Sequence, residues 1–263
     1  MINEHITEKN KIIAKGKDET SRNNNRKYLI ENMASKIFMI SASISVISLL
    51  LIIGFVFYKG LTPFIFKGYS FVDFLIGTDW LPNSDKFGVS SMIIASILAT
   101  LGSLIIGVPI GILTAIFLAE IAPKPVQKLI LPAVELLAGI PSVLYGLFGL
   151  AFIVPKIQST LNLPKGQSLL AVILVLAIMM LPTIISVSQT AIKAVPKSYK
   201  EGSLALGASE IETIFKVILP AAKSGILAAI VLGVGRAIGE TMAVILVAGN
   251  SPVIPTSIVD SVR

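Results

Sequence analysis

Five long apolar runs, parted by basic or turn-rich stretches, organise this chain. The first is Ile37–Tyr58, preceded by a polar stretch over residues 1–36. The second covers about Ser90–Ala119, the third lies within Leu129–Val154, the fourth is about Leu169–Ile192 and the fifth is Gly225–Ala248. A helix needs roughly 20 apolar residues to cross a bilayer core of ~30 Å. Globular helices seldom stay apolar over such lengths. The pattern predicts an all-α fold: a polytopic transmembrane helical bundle at 37–263, with 1–36 as a polar cytoplasmic tail. The first run ends in Phe55-Val-Phe-Tyr58-Lys59 and not in a small-residue cleavage site, which favours an uncleaved anchor over a signal peptide. Residues 59–89 read as an outer loop whose Trp80 suits a membrane interface.

Helix breakers sit inside three of the runs: Gly102, Gly107, Pro109 and Gly111 in the second, Pro132, Gly139 and Pro141 in the third, and Pro182 in the fourth. Breakers free backbone groups that lipid cannot satisfy, so they are expected to face protein or a water-filled cavity. Gly and Pro are also simply commoner in membrane helices, which is the blander explanation.

Composition narrows the function. Only 14% of the 263 residues are charged and 54% are hydrophobic, against about 25% charged in a soluble domain. The net charge of +7 does not point to nucleic acid, because the basic residues flank the apolar runs. Placing the N-terminus in the cytoplasm puts fifteen Lys and Arg inside and six outside, with Arg236 within a run; the positive-inside rule then fixes that orientation. There is no Cys, and the one His, His5, lies in the tail. Disulfides, thiolate or histidine metal sites and the usual nucleophile constellations are thereby excluded, and neither a metal site nor a catalytic residue is expected.

Arg236 and Glu240 stand out in the fifth run. Counted from Gly225, Arg236 falls roughly 17 Å along the helix, near the midplane of a ~30 Å core. Four residues apart on one helix, the two would share a face. Charges at such depth are costly unless paired or wet. One reading is mutual neutralisation. The other is a substrate path, in which the guanidinium offers a fixed fork of donors to a tetrahedral oxyanion. Glu135, three residues after Pro132, is a third candidate for that path, although a carboxylate near a helix end can also simply reach water. The Gly235-xxx-Gly239 spacing permits close helix packing.

Between the fourth and fifth runs lies a polar segment, Pro196–Pro220. It reads as a short helix, a turn at Gly207, and an amphipathic helix with Ile211, Ile214, Phe215 and Ile218 on one side. This segment resembles the coupling loop of binding-protein-dependent ABC importer permeases, whose pattern is Glu-Ala-Ala, three residues, Gly, nine residues, then Ile-x-Leu-Pro. Glu201, Gly207, Leu219 and Pro220 stand at matching positions, with Val217 for the Ile; Gly202 and Ser203 replace the two alanines. Within that family the chain is most similar to phosphate permeases of the PstC type. The motif Arg236-Ala-Ile-Gly-Glu240, the stretch Gly139-Ile-Pro-Ser142-Val-Leu-Tyr-Gly146-Leu-Phe-Gly149 and Asp79-Trp80-Leu-Pro82 carry that similarity over about residues 30–263. The choice of PstC over PstA type rests mainly on the outer loop.

The resemblance implies a MetI-like permease bundle with a coupling loop at 196–220 that docks on a cytoplasmic ATPase dimer. It implies a second homologous permease subunit, an extracytoplasmic phosphate-binding protein, and six spans; this sequence shows five and stops in the loop after the fifth. No Gly-x-x-x-x-Gly-Lys-Ser/Thr loop occurs, so no cofactor is expected on this chain and ATP-Mg belongs to the partner ATPase. The chain is expected in the cell membrane, as a transport subunit and not an enzyme. Rival readings are a sulfate or molybdate permease of the same fold, a gradient-driven secondary transporter or channel, and a membrane scaffold or signalling protein.

Overall fold

The computed structural model describes residues 28, 30–66 and 68–263 in full and only the helical backbone of 2–27 and 29. The expected tail at 1–36 therefore falls mostly outside the described residues. Two compact units are present, Met1–Ser70 and Phe71–Arg263. The first is a single helix, α1 (Ile2–Phe66), whose stretch Ile30–Phe66 is long and apolar enough to cross a membrane.

The second unit holds four more such stretches: Ser90–Ile121, Ser142–Thr160, Leu169–Lys193 and Glu210–Ile238. With 54% of its residues hydrophobic and five helices of spanning length among the described residues, this is a multi-pass membrane protein. The stretch 68–89, read from sequence as an outer loop, is more structured than its sequence suggests. It carries α2 (Phe71–Ile76) and a small hairpin of β1 (Trp80–Leu81) and β2 (Lys86–Phe87), paired antiparallel with Trp80 opposite Phe87. Their rings meet edge to face at 5.9 Å, a favoured aromatic geometry.

At the centre stands α7 (Leu169–Lys193), most of its residues buried. Helix α3 (Ser90–Ile116) packs along it. The close approach depends on glycine: a Cβ at Gly107 would lie 2.6 Å from Met180 Sδ, and one at Gly111 2.7 Å from Ile184 Cγ2. These positions are thus filled by α7 side chains: of the two surroundings expected for the breakers of the second run, Gly107 and Gly111 face protein and not a cavity. Pro109 stays within a continuous α3, on its exposed side.

The N-terminal end of α7 is fully satisfied, although a helix start leaves four N–H groups without intrahelical partners. Leu169 N–H donates to the Asp260 carbonyl, Leu170 N–H to the Ile258 carbonyl, Ala171 N–H to Ser168 Oγ and Val172 N–H to the Ser168 carbonyl. The chain after the fifth run thereby returns to clamp the start of the fourth.

The third span is where the sequence reading needs correction. Residues Lys124–Ala138 form a separate helix, α4, too short to span; the break falls at Gly139–Pro141, and the span begins at Ser142. It consists of α5 (Ser142–Phe148), a widened turn Gly149–Ile153, and α6 (Val154–Thr160). Two further widened, π-type turns occur at Phe117–Ile121 and Ile214–Ile218. Each of the three ends two residues before a proline: Pro123, Pro155 and Pro220. Proline lacks the N–H and clashes with the preceding turn, and the widened turn makes room for it: the helix runs on through Pro155 and Pro220, whereas before Pro123 it ends at Ile121.

Candidate functional site

The fifth span also differs from its sequence outline. It begins well before Gly225: α9 (Glu210–Thr213), the wide turn at Ile214–Ile218 and α10 (Leu219–Ile238) run as one stretch. It ends at the C-cap Gly239, and α11 (Met242–Val247) follows after a break. Arg236 is therefore in the last turn of α10, while Glu240 stands beyond the helix end. The rule that residues four apart share a helix face fails here, because the helix stops between them. Among the described residues no ion pair joins Arg236 to Glu240.

Each has its own partners. Arg236 is half-buried, and its Nη1 donates to Thr183 Oγ1 on α7 at 3.5 Å. Tyr145 donates from its hydroxyl to the Leu137 carbonyl at 2.7 Å, which ties α5 to the end of α4 across the Gly139–Pro141 break. The Arg236 guanidinium thus reaches from α10 to α7 with one long contact and, among the described residues, leaves most of its five donors uncommitted. Glu240 Oε1 accepts from Ala243 N–H at 3.0 Å, capping the start of α11.

Glu240 also lines a cavity of about 650 Å³, together with Ser96 and Thr100 of α3, Leu176 of α7, Thr241 and Asn250. Arg236 is not among its lining residues, nor are Gly102, Gly107, Pro109, Gly111 and Pro182. Glu135 is exposed on α4, which is a non-spanning helix.

Gly146 explains how α5 and α11 come together: a Cβ there would lie 2.8 Å from the Ala243 Cα. The Gly235-xxx-Gly239 spacing makes no such contact among the described residues, since nothing there lies within 4 Å of a Cβ at Gly235.

The polar segment folds as a helical hairpin. Helix α8 (Lys197–Ala205) carries Glu201, Gly202 and Ser203; the turn follows at Gly207, whose φ of +88° favours glycine. Ser209 then starts α9 with a capping box, its Oγ accepting from Glu212 N–H while Glu212 Oε2 accepts from Ser209 N–H. Ile214 and Ile218 are buried, but Ile211 and Phe215 remain exposed on the neighbouring stripe, so the expected apolar side is split. Leu206, at the tip, is 91% exposed. Leu219 and Pro220 begin α10 directly after the wide turn.

The hairpin is joined to the membrane helices by groups that sequence reading did not single out. Lys200 Nζ of α8 lies 2.6 Å from Glu120 Oε2, while at the end of α7, just before the hairpin, Lys193 Nζ donates to Gln127 Oε1 of α4 at 3.1 Å and so ties two helices of the bundle to each other. Both links connect residues more than sixty positions apart, and no local pattern announces them.

The model of the family described as the binding-protein-dependent transport system inner membrane component matches residues 107–261. The chain belongs to this family. The match covers the hairpin of 196–220, Arg236 and Glu240 together. Among relatives of this inner membrane component, the "Probable ABC transporter permease protein YqgH" of Bacillus subtilis is 44% identical over 87% of the chain and 72% of the relative. The "Phosphate transport system permease protein PstC" of Mesorhizobium japonicum is 37% identical over 70% of the chain and 62% of the relative. The Haemophilus influenzae protein of the same name is 37% identical, with 70% and 65% covered. The chain thus spans under two thirds of the length of these two PstC relatives. A solved structure of the inward-facing MetNI methionine ABC transporter overlaps at a TM-score of 0.45 and 22% identity, covering 58% of this chain and 68% of that one. At that score the overlap adds nothing to the assignment.

Proposed function

We propose that this chain is one permease subunit of an ATP-driven, binding-protein-dependent importer of inorganic phosphate. The observation that carries this reading is the family match over 107–261, joined to 37% identity with proteins named phosphate transport permeases. The geometry is consistent with it. The exposed hairpin with Leu206 and Gly207 at its tip offers a docking surface for a cytoplasmic ATPase dimer. The N-terminus then lies in the cytoplasm, and the outer face with the Trp80 hairpin meets an extracytoplasmic phosphate-binding protein. A second homologous permease subunit completes the path.

In this reading ATP-Mg binds the ATPase and not this chain. Arg236 contacts the oxyanion through donors that Thr183 leaves free, since a planar guanidinium matches phosphate oxygens in pairs. Glu240 faces the passing ligand from the cavity side and keeps binding loose enough for release, as a conducting site requires. Glu135 is left at the rim of the path. Glu201, Gly202, Ser203, Gly207, Leu219 and Pro220 shape and carry the ATPase-coupling hairpin.

Affinity purification of the tagged chain from membranes in mild detergent tests the assignment. An ATPase and a second permease should co-purify, and Gly207→Val should abolish ATPase recovery because the turn cannot hold φ near +88° with a β-branched residue. Recovery of the chain alone, with uptake driven by an ion gradient, would overturn it.

A further inference from the structure

Helix α8 buries none of its side chains. Among the described residues, its two side-chain links to the rest of the chain are polar. Ser203 Oγ and Thr213 Oγ1 lie 2.9 Å apart, but this contact only closes the hairpin on itself. The Lys200–Glu120 ion pair is different, because it reaches across to the wide turn Phe117–Ile121 at the end of α3. The Glu120 side chain is 12% exposed and that of Lys200 34%. A carboxylate so nearly enclosed is costly without its partner, whereas the intact pair adds little over apolar packing and acts mainly by fixing relative position. The turn that carries Glu120 is itself rigidly seated: Leu118 is fully buried and clusters with Ala122, Val134 of α4 and Ile185 of α7. A displacement of Glu120 thus moves a packed part of the bundle, not a free loop.

Ile214 and Ile218 on the second arm of the hairpin already pack with Ala115 and Ile116 of α3; we propose that Glu120 and Lys200 form a positioning pair, the joint that couples the first arm, α8, to the end of α3. The source of any motion passed through the joint rests on the functional reading above; the joint itself does not. Neither residue touches substrate in this scheme. Glu120 and Lys200 act through the orientation of α8.

The sequence contains no Cys, so Ser198→Cys, at an exposed site on α8, gives a single attachment point for a nitroxide label on the purified chain in lipid nanodiscs. Label mobility should rise in Glu120→Gln and in Lys200→Met, and return toward the parent value when the charges are exchanged in Glu120→Lys/Lys200→Glu. In the assembled transporter, without the label, the single variants should keep their ATPase while phosphate moved per ATP hydrolysed falls by about 3- to 30-fold, the range of a side-chain coupling contact. The exchange variant should recover most of that loss. Unchanged mobility in the single variants, unchanged transport per ATP, or an exchange variant no better than the singles would each overturn the joint. Failure of the unsubstituted chain to recover an ATPase would instead overturn the functional reading, and the label would still decide whether the pair holds α8.

Discussion

The contact between α5 and α11 gives the sharpest test of the packing argument. A methyl group added by Gly146→Ala would stand 2.8 Å from the Ala243 Cα and 3.1 Å from its carbonyl oxygen. Carbon atoms are comfortable at about 3.5–4.0 Å, so the two backbones must part by roughly 0.7–1.2 Å. Backbone cannot swing aside as a flexible side chain does, and overpacking of this kind costs about 1–3 kcal/mol. At about 2–4 °C per kcal/mol for a protein of this size, melting in detergent micelles should fall by about 2–12 °C. Gly235→Ala is the control, since a Cβ there meets nothing within 4 Å. It should be neutral or gain up to about 1 kcal/mol from helix propensity. Fluorescence-detected size-exclusion after heating reads both. If Gly146→Ala melts at or above the parent while Gly235→Ala melts lower, the assignment of close contact to α5–α11 is wrong.

Three further outcomes follow from particular contacts. Arg236 and Glu240 have separate partners, so Arg236→Gln and Glu240→Gln should lower phosphate uptake independently, with a coupling energy in the double variant below about 0.5 kcal/mol; rescue by exchanging the two charges would show a pair after all. Ser209→Ala removes the cap of α9 and should cost about 1 kcal/mol, seen as faster amide exchange at Glu212 and Thr213. The Ser257 N–H, and after it the hydroxyl and N–H of Thr256, hold the Asp260 carboxyl below its ordinary value. A depressed acid stabilises above its unfolded value near ~3.9 and loses that contribution as pH falls through the folded value. Amide protection at Leu169, which donates to the Asp260 carbonyl, should therefore be flat from pH 7 to about 5 and fall below about 4, while Asp260→Asn should remove that acid-side step.

Much of the architecture was legible because membrane insertion writes a strong one-dimensional signal. The runs Ile37–Tyr58, Ser90–Ala119 and Leu169–Ile192 lie within or nearly within the spans Ile30–Phe66, Ser90–Ile121 and Leu169–Lys193. Gly207 was legible as a turn because its positive φ is a local demand. Hydropathy failed where an apolar stretch was not a span: α4 is apolar enough to merge with α5 on paper, yet Gly139–Pro141 separates them. The shared face expected of Arg236 and Glu240 failed because helical spacing holds only inside a helix, and Gly239 ends this one. The wide turns carried a local signal, a proline two residues beyond each, that hydropathy alone does not interpret. Glu120, Thr183 and Tyr145 had none, because their partners are brought to them by the fold across 80 and 53 positions for the first two or, for Tyr145, through the end of a neighbouring helix.

Uptake of radiolabelled phosphate into proteoliposomes, made from the purified complex of this chain with its co-recovered partners, tests the central assignment most directly. Accumulation should require ATP on the ATPase side and the binding protein on the other, survive collapse of all ion gradients, and disappear in Gly207→Val. Accumulation that proceeds without ATP and stops when the gradients are collapsed, or that carries sulfate or molybdate but not phosphate, would contradict it.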